Sequence, residues 1–313
     1  MPSVREIAVT ASVPYFNARG YIRRAVESLL AQTHRYITVV VVCDGDPCPP
    51  WPELAHIRDP RLVRFSLSSN YGPYFAHQVV LGASTTPYFL VQDADDWSLP
   101  HRVSTLLNAL VCDRSDLAFS AWQQYRVNGD GMIQPDSIRW RHRQPSDPAT
   151  APPGQRELFL FDPLVTDRFL NRAAHHGLFR REALERIGGY YAGFRMNYDT
   201  LLTNVLLMTG RVSFVEEPLY QYIIRPDSLS HSPQTGVRSQ IRVMTKQQLA
   251  AMYREAYDDY RAWMRGDLSS LDLSERIRFL AGRFITPDLS RALEFETARL
   301  ASGLRTQPAI MPS

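Results

Sequence analysis

Residues 7–13, 36–43, 62–67 and 88–91 are short apolar runs rich in β-branched side chains, and helix-length segments lie between them. That alternation constrains the chain more than any other feature. Runs with no polar alternation suit strands buried on both faces, which is the situation of a parallel sheet covered by helices. Pro14 is expected to stop the first run. Residues 20–32 place Ile22, Ala25, Val26, Leu29 and Leu30 on one helical stripe. Residues 75–83 and 99–112 read as two more helices. In such sheets ligands bind beyond the carboxyl ends of the strands. Asp44, Asn70 and the acids between Asp93 and Asp96 all follow predicted strand ends, so they are expected on one rim.

The densest chemistry lies in residues 88–100, where an apolar run delivers Asp93, Asp95 and Asp96 into a turn. Three carboxylates so close repel one another unless something positive sits between them. A hard divalent cation, magnesium or manganese, suits such oxygen ligands and can neutralise a phosphate. Taken alone, the cluster reads equally as a solvated acidic turn.

Residues 117–125, the turn at Asn128 to Gly131, and Met132-Ile133 read as a hairpin. Residues 134–155, rich in Pro and Arg, read as a mobile surface loop, with a lid over the site as one reading. From Gly236 onward the pattern turns helical. Val237, Ile241, Met244, Leu249, Met252, Tyr253, Ala256 and Tyr260 mark one long amphipathic helix. Asp272 and Glu275 have capping-box spacing, and Thr286-Pro287 reads as an N-cap before a helix-starting proline. The expected division is therefore 1–235 as an α/β domain and 236–313 as a helical extension.

Composition narrows the function classes. A net charge of +3 over 313 residues is too weak a bias to suggest nucleic acid. Cys43, Cys48 and Cys112 form no zinc spacing, which fits a reduced, cytoplasmic protein. No apolar run approaches the roughly 20 residues a membrane-spanning helix needs, so no integral membrane segment is expected. A Gly-x-Gly-x-x-Gly after the first strand is absent, which disfavours a dinucleotide-dependent dehydrogenase. A nucleotidyltransferase would want a Gly-rich, basic loop there, and Pro14-Tyr15-Phe16-Asn17 is not one.

Several motifs in order resemble the inverting family-2 glycosyltransferases of the GT-A fold. They are Val13-Pro14-Tyr15-Phe16-Asn17, then Val41-Val42-Cys43-Asp44-Gly45-Asp46, then Asn70-Tyr71-Gly72, and then Gln92 to Asp96 with Trp97 and Pro100. Gly177-Leu178-Phe179-Arg180-Arg181, Ile187-Gly188-Gly189-Tyr190 and Asn197-Tyr198-Asp199 follow. Glu217-Pro218-Leu219-Tyr220 then leads into Tyr222, Arg225 and Ser228-Leu229-Ser230. The resemblance covers residues 7–235. It implies a Rossmann-like, mostly parallel sheet flanked by helices, here with a helical C-terminal extension.

By that resemblance, the chain transfers a sugar from a nucleotide-sugar to a hydroxyl of a soluble small-molecule or saccharide acceptor, using Mn2+ or Mg2+. Asp95 would hold the metal, with Asp93 facing the metal or the ribose and Asp96 in support. Pro14, Tyr15, Asn17, Asn70, Gly72 and Ala94 would line the donor site. Arg225 would reach the diphosphate, with His231 a weaker candidate beside it. Asp44 would read the nucleobase, and a carboxylate accepts a ring imino N–H, which favours UDP and leaves dTDP and GDP open. Asp199 would be the general base. Trp97, His175 and His176 would lie on the acceptor side. Cys43, Asp46 and Tyr198 depart from the family's usual Asp, Ser and Glu. The substitution at Tyr198 motivates the alternative, a sugar-nucleotide-binding or scaffold protein with impaired catalysis.

Overall fold

The computed structural model describes residues 6–139, 176–236 and 239–305. Its centre is the expected parallel unit. Strand β1 (Val9–Tyr15) leads through helix α1 (Ile22–Leu30) to β2 (Ile37–Cys43), then β3 (Leu62–Ser66) leads through α2 (Pro73–Ala83) to β4 (Tyr88–Val91). The strands lie in the order β3-β2-β1-β4, all parallel. Because helices cover both faces, alternate side chains enter different cores. Val40 and Val42 of β2 pack with Phe89 and Val91 of β4 on one face. Val39, Val41 and Cys43 pack with Tyr88 and Leu90 on the other. Ile22, Ala25, Val26 and Leu29 of α1 are fully buried, as their spacing predicts. Truncating Leu29 to Ala would cost about 2–5 kcal/mol.

Pro14 does not stop β1, which runs on to Tyr15 in register with Cys43. The reason lies in which way the backbone points. Val9 N–H and Tyr15 C=O bond toward β2, whereas Ser12 C=O accepts from Gln92 on the β4 side. Pro14 faces the same way as Ser12, and pairing with β4 ends at Ser12 opposite Val91. The missing proline N–H therefore costs no ladder bond.

Beyond β4 the sheet becomes mixed. Short β5 (Trp97–Ser98) precedes α3 (Arg102–Cys112), followed by β6 (Leu117–Val127), β7 (Ile133–Arg139) and β8 (Leu178–Arg180). Helices α4 (Arg181–Arg186) and α5 (Tyr198–Thr209) lead to β9 (Val212–Ile224). Strand β8 inserts antiparallel between β4 and β6, β9 runs parallel to β6, and β5 closes the far edge. The expected hairpin is β6-β7, but its second strand is longer than its sequence suggests. Residues up to Arg139 that read as loop are strand, because pairing with β6 satisfies a backbone whose side chains lack alternation. The remainder of the 134–155 segment lies outside the described residues.

The C-terminal helices are α6 (Gln240–Met264), α7 (Ser270–Gly282) and α8 (Pro287–Arg305). Leu249, Met252, Tyr253, Ala256 and Tyr260 of α6 join the core cluster that also contains β2, β4 and α5 side chains. The first turn of α6 departs from the expected stripe. Ile241 and Met244 are exposed, whereas Arg242 and Thr245 are buried. Here the helix covers a polar loop instead of the core. The capping box of α7 lies one turn earlier than expected, between Ser269 and Asp272. Ser269 has the extended backbone an N-cap needs, and its hydroxyl accepts the Asp272 N–H. Thr286 caps α8 as expected, accepting from Leu289 N–H. Helix α8 packs on α2, with fully buried Glu296 accepting the Ser68 N–H at 2.9 Å.

Candidate active site

The loops after β1, β2 and β3 are tied together by acids. Asp44, directly after β2, is buried and accepts two backbone N–H groups, Tyr71 at 2.7 Å and Gly72 at 2.8 Å. Burial pushes its carboxyl above the usual 3.8, while these two bonds and Arg195 oppose the shift. Gly45 turns with φ 64, and a Cβ there would lie 2.3 Å from Asn70 N, so only glycine fits. Gly72 (φ 99) opens α2, and Arg195 bonds both the carbonyl and the side chain of Asn70. Asp46 staples the first two loops by accepting Asn17 N–H at 2.6 Å and Cys48 N–H at 2.8 Å. Tyr15 is buried behind them, its hydroxyl donating to Cys48 O and its pKa pushed up to about 12, chiefly by burial.

The acidic turn is balanced by fixed cations. Asp95 pairs with Arg225 Nε at 2.6 Å, and Arg225 also pairs with Asp227 at 2.8 Å. Behind the turn lies Arg102, fully buried, donating to Val91 O, Gln92 Oε1, Ser98 Oγ and His176 O. Burial lowers its pKa only to about 10, so it stays cationic at neutral pH. Its guanidinium lies 4.6 Å from the Tyr220 ring centroid. Tyr220 Oη accepts from Asp93 N–H and donates to Asp96 at 2.7 Å, while Ile223 N–H bonds the other Asp96 oxygen. Burial raises Asp96 well above the usual 3.8, with the charges of Asp95 and Asp93 adding to it. Asp95 is also raised by burial, against the pull of Arg225. Ala94 is buried in the β1–α1 core.

His176 stacks on Tyr220 with ring centroids 4.1 Å apart and bonds Asp93 Oδ2 through Nε2 at 2.9 Å. Burial first, and Arg102 second, keep its pKa well below the ordinary value, so the ring is neutral. Donor atoms of Asp93, Asp96 and His176 lie within 4.8 Å of one another. The two carboxylates suit Mn2+ or Mg2+, whereas the imidazole favours a transition metal, so of these two ions the set suits Mn2+ better. Of the expected metal residues, Asp93 lies in this cluster and Asp95 is paired to Arg225.

Asp199 stands in the first turn of α5 and accepts from Tyr74 Oη at 2.5 Å. Tyr74 enters from the first turn of α2, just after Gly72. Burial and the Asp199 charge together hold its phenol well above 10. Tyr190 feels the charges of both Asp199 and Asp93, and His176 feels that of Asp199. His176, which bonds Asp93, thus lies within electrostatic reach of Asp199. Tyr198 is buried, edge-on to Tyr74 and stacked with Phe194. Trp97 packs between Arg24, 3.7 Å from its ring centroid, and Tyr125. His231 bonds Ser228, and burial lowers its pKa. His175 lies outside the described residues.

Sequence reasoning misses Tyr74 and Arg102. Each sits in the first turn of a helix that follows a rim loop, the one signal that singles them out.

A family model described as glycosyl transferase family 2 matches residues 10–188, more than half of the chain. The chain belongs to glycosyl transferase family 2. It has the GT-A fold. The succinoglycan biosynthesis protein ExoO of Rhizobium meliloti is 29% identical over 71% of this chain and 62% of ExoO. Glycosyltransferase GlyA of Streptococcus pneumoniae is 25% identical over 71% of the chain and 31% of GlyA. The chain thus spans less than two thirds of either relative. The S. aureus TarS 1–349 structure in complex with UDP-GlcNAc superimposes with a TM-score of 0.54 at 17% identity, covering 96% of this chain and 90% of that one. Among the described residues no helix is long and apolar enough to cross a membrane.

Proposed function

We propose that this glycosyltransferase is an inverting, metal-dependent enzyme that moves a sugar from a UDP-sugar to a hydroxyl of a soluble acceptor. The observation that carries the reading is that Tyr74, which donates to Asp199, lies in the first turn of α2 directly after Gly72, whose N–H is held by Asp44. The proposed base is thereby tied to the proposed donor rim. The acceptor hydroxyl gives its proton to Asp199 as its oxygen attacks the anomeric carbon opposite the leaving diphosphate. Tyr74 holds the Asp199 carboxylate in one orientation. Arg225 offers its guanidinium to the diphosphate, exchanging Asp95 for phosphate oxygens. Asp93 and Asp95, with Asp96 and His176 beside them, would hold Mn2+ or Mg2+. When bound, that ion neutralises charge developing on the diphosphate.

The UDP assignment rests on Asp44 and on TarS, which binds UDP-GlcNAc. Each Asp44 oxygen accepts one backbone N–H and keeps a lone pair for a uracil imino group. Pro14, Asn17, Asn70 and Gly72 line the proposed donor pocket with Tyr15 and Ala94 buried behind it, and residues 1–235 are the proposed catalytic part, which α6, α7 and α8 brace. Cys43, Cys48 and Cys112 are all free, which supports a cytoplasmic setting.

Calorimetric titration of UDP, dTDP, GDP and CDP, each with and without manganese, tests the reading. Manganese-dependent binding of UDP above the others is the expected result. Tight binding of CDP, or equal binding after chelation, would overturn the nucleotide or the metal assignment respectively.

A further inference from the structure

Arg242, in the first turn of α6, is only 7% exposed, although Ile241, Val243 and Met244 around it are exposed. A buried guanidinium is costly unless its donors are matched. This one is matched in three directions. Nε donates to Thr235 O at 2.7 Å, Nη2 to Leu229 O at 2.9 Å and Nη1 to Asn197 Oδ1 at 3.1 Å.

The first two contacts grip both ends of a compact turn. Within it, Ser232 N–H donates to Ser228 O at 2.9 Å, and Thr235 Oγ1 donates to Leu229 O at 2.8 Å. Gly236 closes it, since a Cβ there would lie 2.5 Å from Ser232 O. This turn continues directly from Arg225, the partner of Asp95. The third contact reaches Asn197, which holds the left-handed φ of 63 that starts α5, two residues before Asp199. A planar fork with several donors suits three neutral acceptors at such angles, and an ammonium does not.

We infer that Arg242 is a positioning residue that couples the loop carrying Arg225 to the helix start carrying Asp199. The inference rests on the roles proposed above for those two residues. Through Arg242, the helical C-terminal segment sets the distance between the leaving-group side and the base side.

The test compares wild type with Arg242→Ala, Arg242→Lys, Asn197→Gly, the Arg242→Ala/Asn197→Gly double variant and Asp199→Ala. Glycine accepts the φ of Asn197, so that variant deletes only the amide contact. The readouts are kcat, donor KM, and hydrogen exchange in the segments 197–205 and 226–236. Arg242→Ala should lower kcat about 10–100-fold, the scale of a small misplacement of reacting groups, and should speed exchange in both segments. Added guanidinium should restore part of that kcat, and Arg242→Lys should recover little. Asn197→Gly should loosen only the first segment, and the double variant should be no slower than Arg242→Ala. For Arg242→Ala, a kcat within about twofold of wild type or loosening confined to one segment would overturn the coupling, as would additive losses in the double variant. If Arg242→Ala does not fold, Arg242→Lys is read in its place, with loosening of both segments supporting the coupling and loosening of one or neither overturning it. Retained turnover in Asp199→Ala would overturn the base assignment alone, because exchange still reads the clamp.

Discussion

On the donor rim, Asp44, Asn70 and the 93–96 turn each follow a strand of the parallel core, so chain-local motifs carry them. On the base side, Asp199 is held by Tyr74 from 125 residues away, and its helix start is held by Arg242 from α6. The rim is therefore made rigid by strand register, whereas the base side is made rigid by side chains reaching across the fold. Disturbing the rim should weaken donor binding and the fold together. Disturbing the base side should slow turnover while leaving donor binding alone.

The sharpest separation should come from Asp199→Asn, which keeps the shape but cannot take a proton. We expect kcat to fall about a thousandfold, within the usual range for a general base, with UDP affinity by calorimetry unchanged. A parallel loss of UDP binding would dissolve the distinction between the two sides. Gly45→Val should do the reverse. Its side chain meets Asn70 and Ser69 backbone at a left-handed φ. We expect a loss of about 2–4 kcal/mol in stability by denaturant unfolding, accompanied by weaker UDP binding.

Much of the rim is legible in the sequence itself. Residues 88–91 form the predicted strand residue for residue, and Asp44, Asn70 and Asp93 follow the carboxyl ends of parallel strands on one edge of the sheet. The countercharge is not legible there. Three acids do need something positive beside them, but Arg102 and Arg225 already provide part of it. Beyond its place in the first turn of α3, nothing local marks Arg102 as buried beneath the neighbouring turn. Tyr74 is hidden for the same reason, since its partner lies on another element. The continuation of β1 through Pro14 and the burial of Arg242 escape a local reading because each depends on what lies alongside. A vacated flank makes a proline harmless, and a polar loop makes an apolar stripe the wrong guide.

Two smaller effects refine the contrast. Tyr74→Phe removes one bond to the carboxylate of Asp199 without altering the fold. We expect kcat to fall about tenfold, equivalent to about 1.4 kcal/mol, with donor KM steady in initial-rate assays. On the rim, the proton balance of Asp96 sets a stability trend. Its folded form holds the proton more tightly than the unfolded chain, because its pKa is raised above 3.8. Stability contributed by this group therefore falls as pH rises through that raised value and returns on acidification toward 3.8. With metal chelated, wild type should gain Tm on acidification toward the ordinary carboxyl range from this group. Asp96→Asn should lose that slope, which differential scanning calorimetry at several pH values measures.

The bond from Ser68 to Glu296 spans 228 residues of chain. At the roughly 5–20 residues per second of ribosomal synthesis, Ser68 emerges about 10–45 s before its partner exists. During that interval the sheet can form while the loop beside the donor pocket lacks the carboxylate that fixes it. The enzyme therefore matures in order, scaffold first and donor pocket last, with α8 acting as the final fastening.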